Sequence, residues 1–222
     1  MSELVLGIDT IGRGGAVAIA SADEVLGLRV HDPELGYAEE LFGLFDGALE
    51  DAGLQRGDLT AVAVLSGPGS FTGLRIGVMT AKTLAFGLGL PLLAASTLEV
   101  ISASAGEGRW TAAIDAGGGH VWATGAEVTA EGVSATSGLQ RMLPGDLEGE
   151  IVSVPPLALG TVIEGLAGHL ARLGARRAAP VTEVDPIALV PEYGAVSQAE
   201  RVHGLDLSEE IRRPIEPRGW DA

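Results

Sequence analysis

The chain has 222 residues, of which 46% are hydrophobic, and this is enough for a packed core in one large domain or two small lobes. Fourteen basic residues stand against thirty acidic ones, and the formal charge of -16 disfavours direct binding to a nucleic-acid backbone. The lack of cysteine excludes disulfides and thiolate metal sites. No apolar stretch approaches the ~20 residues of a membrane span and the amino terminus lacks a signal-peptide pattern, so we expect a cytoplasmic protein.

Apolar patterns in the first half predict three strands and then an alternation of helices and strands. In the first helix, apolar residues recur at intervals of three and four, with acidic residues between them. This β-β-β-α-β-α-β-α order is that of a ribonuclease H-like lobe. The predicted elements are strands Leu4–Asp9, Ala16–Ala20 and Asp23–Val30, helix Tyr37–Ala52, strand Thr60–Leu65, helix Leu74–Leu88, strand Pro91–Ala95 and a helix from Thr97.

The pattern then restarts, because Ile8-Asp9 at the end of the first strand recurs as Ile114-Asp115 before a second glycine turn. We infer an internal duplication, with a first lobe at 1–106, a reduced second lobe at 107–200 and a polar segment at 201–222. Two such lobes predict a cleft between the two hairpins. The elements predicted for the second copy are strands Trp110–Asp115, Val121–Ala126 and Glu150–Val154 and a helix Leu157–Leu173.

A glycine-rich stretch separates the predicted strand at 60–65 from the following helix. Its spacing matches neither a Walker A loop nor a dinucleotide fingerprint. Two interpretations stay open for it. Helix amides after such a turn can bind phosphate, or Ser70 or Thr72 caps the helix while glycines four residues apart provide a surface for another helix. Arg75 in the first turn of the helix would contact either a phosphate or an acidic neighbour. The glycines are Gly67, Gly69, Gly73 and Gly77.

Asp9 and Asp115 end equivalent strands, where a carboxylate could hold magnesium on a nucleotide's phosphates or instead bond the amides of its own turn. Asp9, Gly67, Gly69, Ser70 and Asp115 are therefore the candidate nucleotide or phosphate site. The four histidines have no metal-ligand spacing, so we expect no metal site and assign no catalytic residue. A serine hydrolase is disfavoured, because G-x-S-x-G does not occur around Ser70.

From Gly67 to Glu99, GPGSFTGLRIGVMTAKTLAFGLGLPLLAASTLE closely follows the pattern of the TsaB (YeaZ) family, and Leu6–Thr10 (LGIDT) and Ile114–Ala116 (IDA) extend the match. The resemblance implies the actin-like, sugar kinase and Hsp70 type of ATPase fold. It also implies a non-catalytic partner of TsaD, the paralogue that transfers threonylcarbamoyl to tRNA with a bound metal. In that paralogue an H-x-x-x-H pair binds the metal, and the matching positions here are Thr97 and Ile101.

The resemblance further implies pairing with a TsaD-type paralogue through the glycine helix, where Gly73, Arg75, Gly77 and Met79 are the expected interface residues. A TsaE-type ATPase would join the pair, and the chain alone would form a homodimer through the same surface. The chain would need no cofactor, while ATP or ADP with magnesium would act in the complex. Transfer RNA would be contacted only indirectly, and no membrane is involved.

Several positions depart from the family pattern, namely Ile11-Gly12, the run from Gly117 to Trp122, and Pro191-Glu192-Tyr193, which lacks the usual arginine two residues later. A bulky residue at Gly73 or Gly77 is expected to disrupt association more than folding. The rival hypothesis from the enzyme class is a stand-alone ATPase or small-molecule kinase of the same fold. Its motivation is Asp9 together with the glycine loop.

Overall fold

The computed structural model describes residues 3–12, 15–32, 34–35, 37–157, 159–162 and 165–193. Within them the first half of the chain forms a meander of three strands, followed by alternating helices and strands, as the sequence predicts. These elements are β1 (Val5–Asp9), β2 (Ala16–Ala20), β3 (Val25–Val30), α1 (Tyr37–Ala52), β4 (Ala61–Gly67), α2 (Phe71–Leu88), β5 (Leu92–Ser96) and α3 (Thr97–Ala105).

The second half repeats the strand meander, but its described residues, up to 193, contain one α-helix where those of the first half contain three. Two short 3-10 turns, Arg56–Asp58 and Pro144–Asp146, lie in the loops of the two halves. The remaining elements are β6 (Gly108–Gly117), β7 (His120–Thr129), β8 (Gly132–Ala135), β9 (Gln140–Met142), β10 (Ile151–Ser153), β11 (Thr161–Val162), α4 (Leu166–Ala175) and β12 (Thr182–Val184).

The strand orders of the two sheets show the duplication. The first sheet runs β12-β5-β4-β1-β2-β3 and the second runs β11-β10-β6-β7-β8, with β9 also paired to β7. In both, an antiparallel hairpin (β1–β2 or β6–β7) continues into a parallel pair (β1–β4 or β6–β10). Without β12, the two orders are identical, so the prediction of two ribonuclease H-like lobes is confirmed.

The last helix of each copy packs on the sheet of the other copy. Helix α3 lies against β6 and β7 of the second sheet, whereas α4 lies against β1 and β2 of the first. Strand β12 also returns to the first sheet, where it pairs with β5. Both α4 and β12 therefore contact the first sheet, while the lobe bounds at 1–106 and 107–200 stay a prediction. Segment 201–222 lies outside the described residues.

Glycines permit the close contact between α4 and the first sheet. A Cβ at Gly7 in β1 would overlap the carbonyl oxygen of Ala167, and the α carbon of Gly174 faces Val5. The helix that the sequence predicts at 157–173 is shorter than expected. It begins only after Gly165, whose φ of 65° is left-handed, because 161–162 instead pairs with β10 as an edge strand.

Two apolar clusters lie on opposite faces of the first sheet. One fills the space between this sheet, α3, α4 and the second sheet, and includes Leu65, Leu98, Ile114 and Leu170. The other lies under α1 and α2. Among the described parts of the chain, no helix combines the length and the apolar character that crossing a membrane requires.

Candidate functional site

The glycine turn joins the end of β4 to the start of α2. Ser70 caps the helix, since its Oγ accepts a hydrogen bond from the amide of Gly73 at 3.3 Å. The helix therefore begins at Phe71, three residues before the predicted start. Ser66 at the other end of the turn donates its hydroxyl hydrogen to the carbonyl of Ala95, at 3.1 Å. These bonds confirm the capping interpretation of Ser70 and tie the turn to β5.

The first two glycines of the turn lie against other segments of the same chain. Gly67 has a φ of 121°, and a Cβ there would overlap the carbonyl oxygen of Glu192. A Cβ at Gly69 would lie 2.9 Å from the side chain of Ile11, whose carbonyl accepts a hydrogen bond from the amide of Ser70 at 3.0 Å. Close packing within the chain thus accounts for both glycines, and phosphate binding here stays a prediction.

The next two glycines face Thr10, which follows β1 and is 3% exposed. The Thr10 hydroxyl donates a hydrogen bond to the carbonyl of Gly73 at 2.7 Å. A Cβ at Gly73 would overlap the carbonyl oxygen of Thr10, and one at Gly77 would overlap its Oγ1. Both glycines are buried, so the helix surface that they were expected to offer to another subunit is already occupied by Thr10.

The opposite side of α2 is open, and it carries the other two residues of the predicted interface. Arg75 and Met79 are exposed, and Phe86 on the same side has 88% of its surface exposed. Together with half-buried Lys82 they are spaced by four, three and four residues, which places them on one helix face. We call these four residues the α2 stripe. Pairing of this stripe with another subunit stays a prediction.

Asp9 is the most strongly perturbed ionisable group of the predicted site. It is 7% exposed, and its Oδ1 accepts a hydrogen bond from the amide of Ile11 at 3.0 Å. Burial raises the pKa of Asp9 from 3.8 to about 6, although that hydrogen bond acts in the opposite direction. Of the two roles that the sequence left open, Asp9 therefore has that of bonding an amide of its own turn. Its burial destabilises the ionised carboxylate.

Asp115 repeats this local geometry in the second copy. Its Oδ1 accepts a hydrogen bond from the amide of Gly117 at 2.9 Å, but its side chain is exposed. The turn that follows has three glycines with positive φ, Gly117, Gly118 and Gly119. The two aspartates thus share a bonding pattern and differ in burial. A nucleotide held by both stays a prediction.

The residues at the positions of the paralogue's metal pair lie in the core. Thr97 and Ile101, on one face of α3, are both 0% exposed. The Thr97 hydroxyl is buried without a hydrogen-bond partner among the described atoms, and one hydroxyl beside an isoleucine does not provide the donors that a catalytic metal needs. Within the ranges that the structure describes, no three His, Asp or Glu residues cluster as metal ligands.

Sequence reasoning missed the contact between the end of the described chain and the glycine turn. The amide of Glu192 donates to the carbonyl of Ser66 at 2.6 Å, and the ring centroids of Tyr193 and Phe71 are 4.4 Å apart. Burial and the nearby carboxylate of Glu192 both raise the pKa of Glu99. The only sequence signal was the incomplete Pro191-Glu192-Tyr193 element, which indicated a departure from a pattern and no contact.

A cavity of about 360 Å³ lies on the second sheet, away from these residues. Hydroxyl, amide and carboxylate groups line it, but none of the predicted site residues does so. Its lining is Thr111, Ala123, Thr124, Gly125, Ser137, Gln140, Met142, Asp146 and Glu148.

Two duplicated lobes, with α3 and α4 each packed on the sheet of the other lobe, form the fold of the actin-like, sugar kinase and Hsp70 type, as the sequence predicts. Residues 34–156, more than half of the chain, match the family described as TsaD, tRNA N6-adenosine threonylcarbamoyltransferase, and the chain belongs to that family. The resemblance to TsaB (YeaZ) is confirmed by relatives and structures of that name.

Three curated relatives illustrate the similarity. TsaB of Bacillus subtilis is 34% identical over 45% of this chain and 44% of its own length, and TsaB of Escherichia coli is 35% identical over 53% and 52%. A tRNA N6-adenosine threonylcarbamoyltransferase of Maricaulis maris is 42% identical over 38% of this chain and 25% of its own length. The matched part of the chain thus spans about half the length of these TsaB relatives or less.

Among solved structures, YeaZ from Pseudomonas aeruginosa superposes with a TM-score of 0.66 at 22% identity. The alignment covers 86% of this chain and 99% of that one. A second P. aeruginosa structure, described as similar to peptidase YeaZ, gives 0.67 over 87% of this chain. At this identity the likeness concerns the fold.

Replacing Gly73 with alanine should destabilise the fold, because the new methyl group would overlap the Thr10 carbonyl. We expect a loss of about 1–3 kcal/mol in the free energy of unfolding, measured by urea denaturation. At Gly87 in the same helix, no atom lies within 4 Å of the position that a methyl group would take. Gly87→Ala is therefore the matched control and should stabilise by about 0.5–1 kcal/mol. Equal effects at the two positions would contradict the assigned contact.

Asp9 should make stability fall as pH rises. Its folded pKa lies above the unfolded value of 3.8, so its favourable contribution is complete below about pH 4 and is lost as pH passes about 6. The difference between the folded and unfolded pKa values of Asp9 corresponds to a change of about 3 kcal/mol at most in the free energy of unfolding. Asp9→Asn should flatten the dependence of the unfolding free energy on pH between 4 and 7. Asp115→Asn, an exposed aspartate in the same kind of turn, is the control, and an unchanged pH profile for Asp9→Asn would refute the assignment.

Proposed function

We propose that this chain is the non-catalytic subunit that pairs with a TsaD-type threonylcarbamoyltransferase in forming threonylcarbamoyladenosine in tRNA. The family match supports the pathway. The observation that carries the non-catalytic assignment is the burial of Thr97 and Ile101 in the core, at the positions of the paralogue's metal pair. Isoleucine has no donor atom, and one threonine hydroxyl does not replace two imidazole ligands.

The α2 stripe is the proposed pairing surface. Large apolar side chains at Met79 and Phe86 are exposed by 59% and 88%, which is costly for an isolated chain and favourable once a partner covers them. Arg75 and Lys82 add two positive charges to this face of an acidic protein. A partner helix with apolar residues and carboxylates at matching spacing would complement both features. Gly73 and Gly77 contribute indirectly, since their contact with Thr10 fixes the position of α2.

The partner is a TsaD-type paralogue in the complex and a second copy of this chain in its absence. A TsaE-type ATPase would join the pair, and ATP or ADP with magnesium would act in that complex. Transfer RNA would be bound through the partner, consistent with the charge of -16 on this chain. We place the complex in the cytoplasm. A stand-alone ATPase or kinase is not favoured, because Asp9 is buried and bonds its own turn.

Loss of this chain should lower the threonylcarbamoyladenosine content of tRNA. The test depletes the protein in its host and measures the modified nucleoside by mass spectrometry of digested tRNA. Purified chain should also co-elute with the host's own TsaD-type paralogue in size-exclusion chromatography. Normal nucleoside content after depletion, with no co-elution, would refute the proposed function.

A charge placed in the α2 stripe should separate the subunits without unfolding the chain. Met79→Asp buries an unpaired carboxylate in the proposed interface, and we expect at least about a tenfold rise in the dissociation constant for the TsaD-type partner, measured by calorimetry. Leu143 is exposed by 51% on the second half of the chain and precedes a short 3-10 turn. Leu143→Asp is therefore the control and should bind as wild type. Equal affinity for both variants would exclude α2 as the interface.

A further inference from the structure

The last described segment, residues 185–193, crosses from β12 to the glycine turn, and we call it the strap. It starts with a turn in which the amide of Ile187 donates to the Asp185 carboxylate at 2.8 Å and the amide of Leu189 donates to the Asp185 carbonyl at 3.0 Å. Leu189 then packs on the apolar cluster under α1 and α2. The strap is thus attached to the first sheet at one end, through β12, and to the helix layer through Leu189.

The far end of the strap is fixed at the glycine turn by backbone contacts. The Glu192 amide donates a hydrogen bond to the Ser66 carbonyl. The Glu192 carbonyl oxygen occupies the space where any residue other than glycine at position 67 would place its Cβ. Backbone contacts of this kind depend on no side chain of the strap. They bring the following residue, Tyr193, to the first turn of α2.

Tyr193 holds the side chain of Arg75. The Nε of Arg75 donates a hydrogen bond to the Tyr193 hydroxyl at 3.1 Å. The guanidinium carbon lies 4.1 Å from the centre of the Phe71 ring and 5.7 Å from that of Tyr193. A guanidinium that stacks on one ring and bonds the hydroxyl of a second has lost most of its rotamer freedom.

The remaining donors of Arg75 are its two terminal nitrogens. None of the ion pairs between residues that the structure describes includes Arg75, whereas Arg29, Arg56, Arg109 and Arg177 all pair with carboxylates. Its side chain is exposed at the start of the α2 stripe. The terminal nitrogens of a guanidinium present a planar pair of donors that matches a carboxylate.

We propose that the strap positions Arg75 for the partner. In this arrangement Tyr193 is a positioning residue that directs the two terminal nitrogens of Arg75 to a carboxylate on the partner's helix. The inference rests on the proposed pairing through α2 and adds a source of affinity outside that helix. The ordering of a long side chain is completed when the strap docks, so partner binding does not have to bear its entropic cost.

A double-mutant cycle tests the proposal. Tyr193→Phe keeps the ring contact with Phe71 and removes the hydroxyl that accepts from Arg75. We expect Tyr193→Phe to weaken binding of the TsaD-type partner by about three- to tenfold, mainly through faster dissociation. In an Arg75→Ala background the same change should have no further effect, because both act through one guanidinium. Arg56→Ala is the control, since Arg56 also lies over an aromatic ring, at 5.6 Å from the Phe45 centre, outside the stripe.

Wild-type affinity for Tyr193→Phe, or additive losses in the double variant, would overturn the proposal. Hydrogen exchange on the full chain without a partner tests the strap separately. The Glu192 amide should be protected in the wild type and in Tyr193→Phe, and exposed in Gly67→Ala, where the new methyl group displaces the strap. Failure of the wild-type chain to bind any TsaD-type partner, with this protection intact, would refute the proposed function and leave the strap geometry supported. An unprotected Glu192 amide in the wild type would refute the strap.

Discussion

The contact between Thr10 and the glycine face of α2 determines how the functional surface is presented. It joins the end of the central strand to the helix through one buried hydrogen bond and two positions without side chains. With that face held inside, the rotation of α2 about its axis is fixed, and Arg75 and Met79 must point outwards. If the buried Thr10 hydroxyl lost its bond to the Gly73 carbonyl, it would carry a desolvation penalty. The contact therefore tolerates little displacement of α2. The exposed stripe and the buried glycines are two sides of one constraint.

Local patterns predicted much of the fold because they report on local burial. The bounds of Ala16–Ala20 and Tyr37–Ala52 agree with the structure, since a short continuous apolar run indicates a buried strand and helical periodicity indicates which helix face meets the core. The repeated Ile-Asp ending indicated the duplication. The predicted start of the helix at 157–173 was wrong because a two-residue edge strand has too few residues to show a period.

The site was predicted less completely, because its contacts join distant parts of the sequence. Spacing by four indicates that Gly73 and Gly77 share a helix face, but it does not indicate whether that face meets another subunit or the same chain. In the structure that face contacts Thr10 of the same chain, which lies more than sixty residues earlier in the sequence. The bond between Arg75 and Tyr193 spans 118 positions and has no periodic signature. Residue types gave the candidates, and only the tertiary structure assigned their neighbours.

The exchange of α3 and α4 between the two sheets has a consequence for synthesis on the ribosome. The first sheet is complete except for β12 once residue 96 has been made, yet the helix that covers its inner face ends at residue 175. At about 5–20 residues per second, that face stays uncovered for roughly 4–16 seconds. During this interval the side chains of that face, which include Val5, Leu65 and Leu93 beside several alanines, remain exposed to solvent. That face thus stays accessible to a chaperone that binds apolar segments until α4 has been translated, well into the second half of the chain.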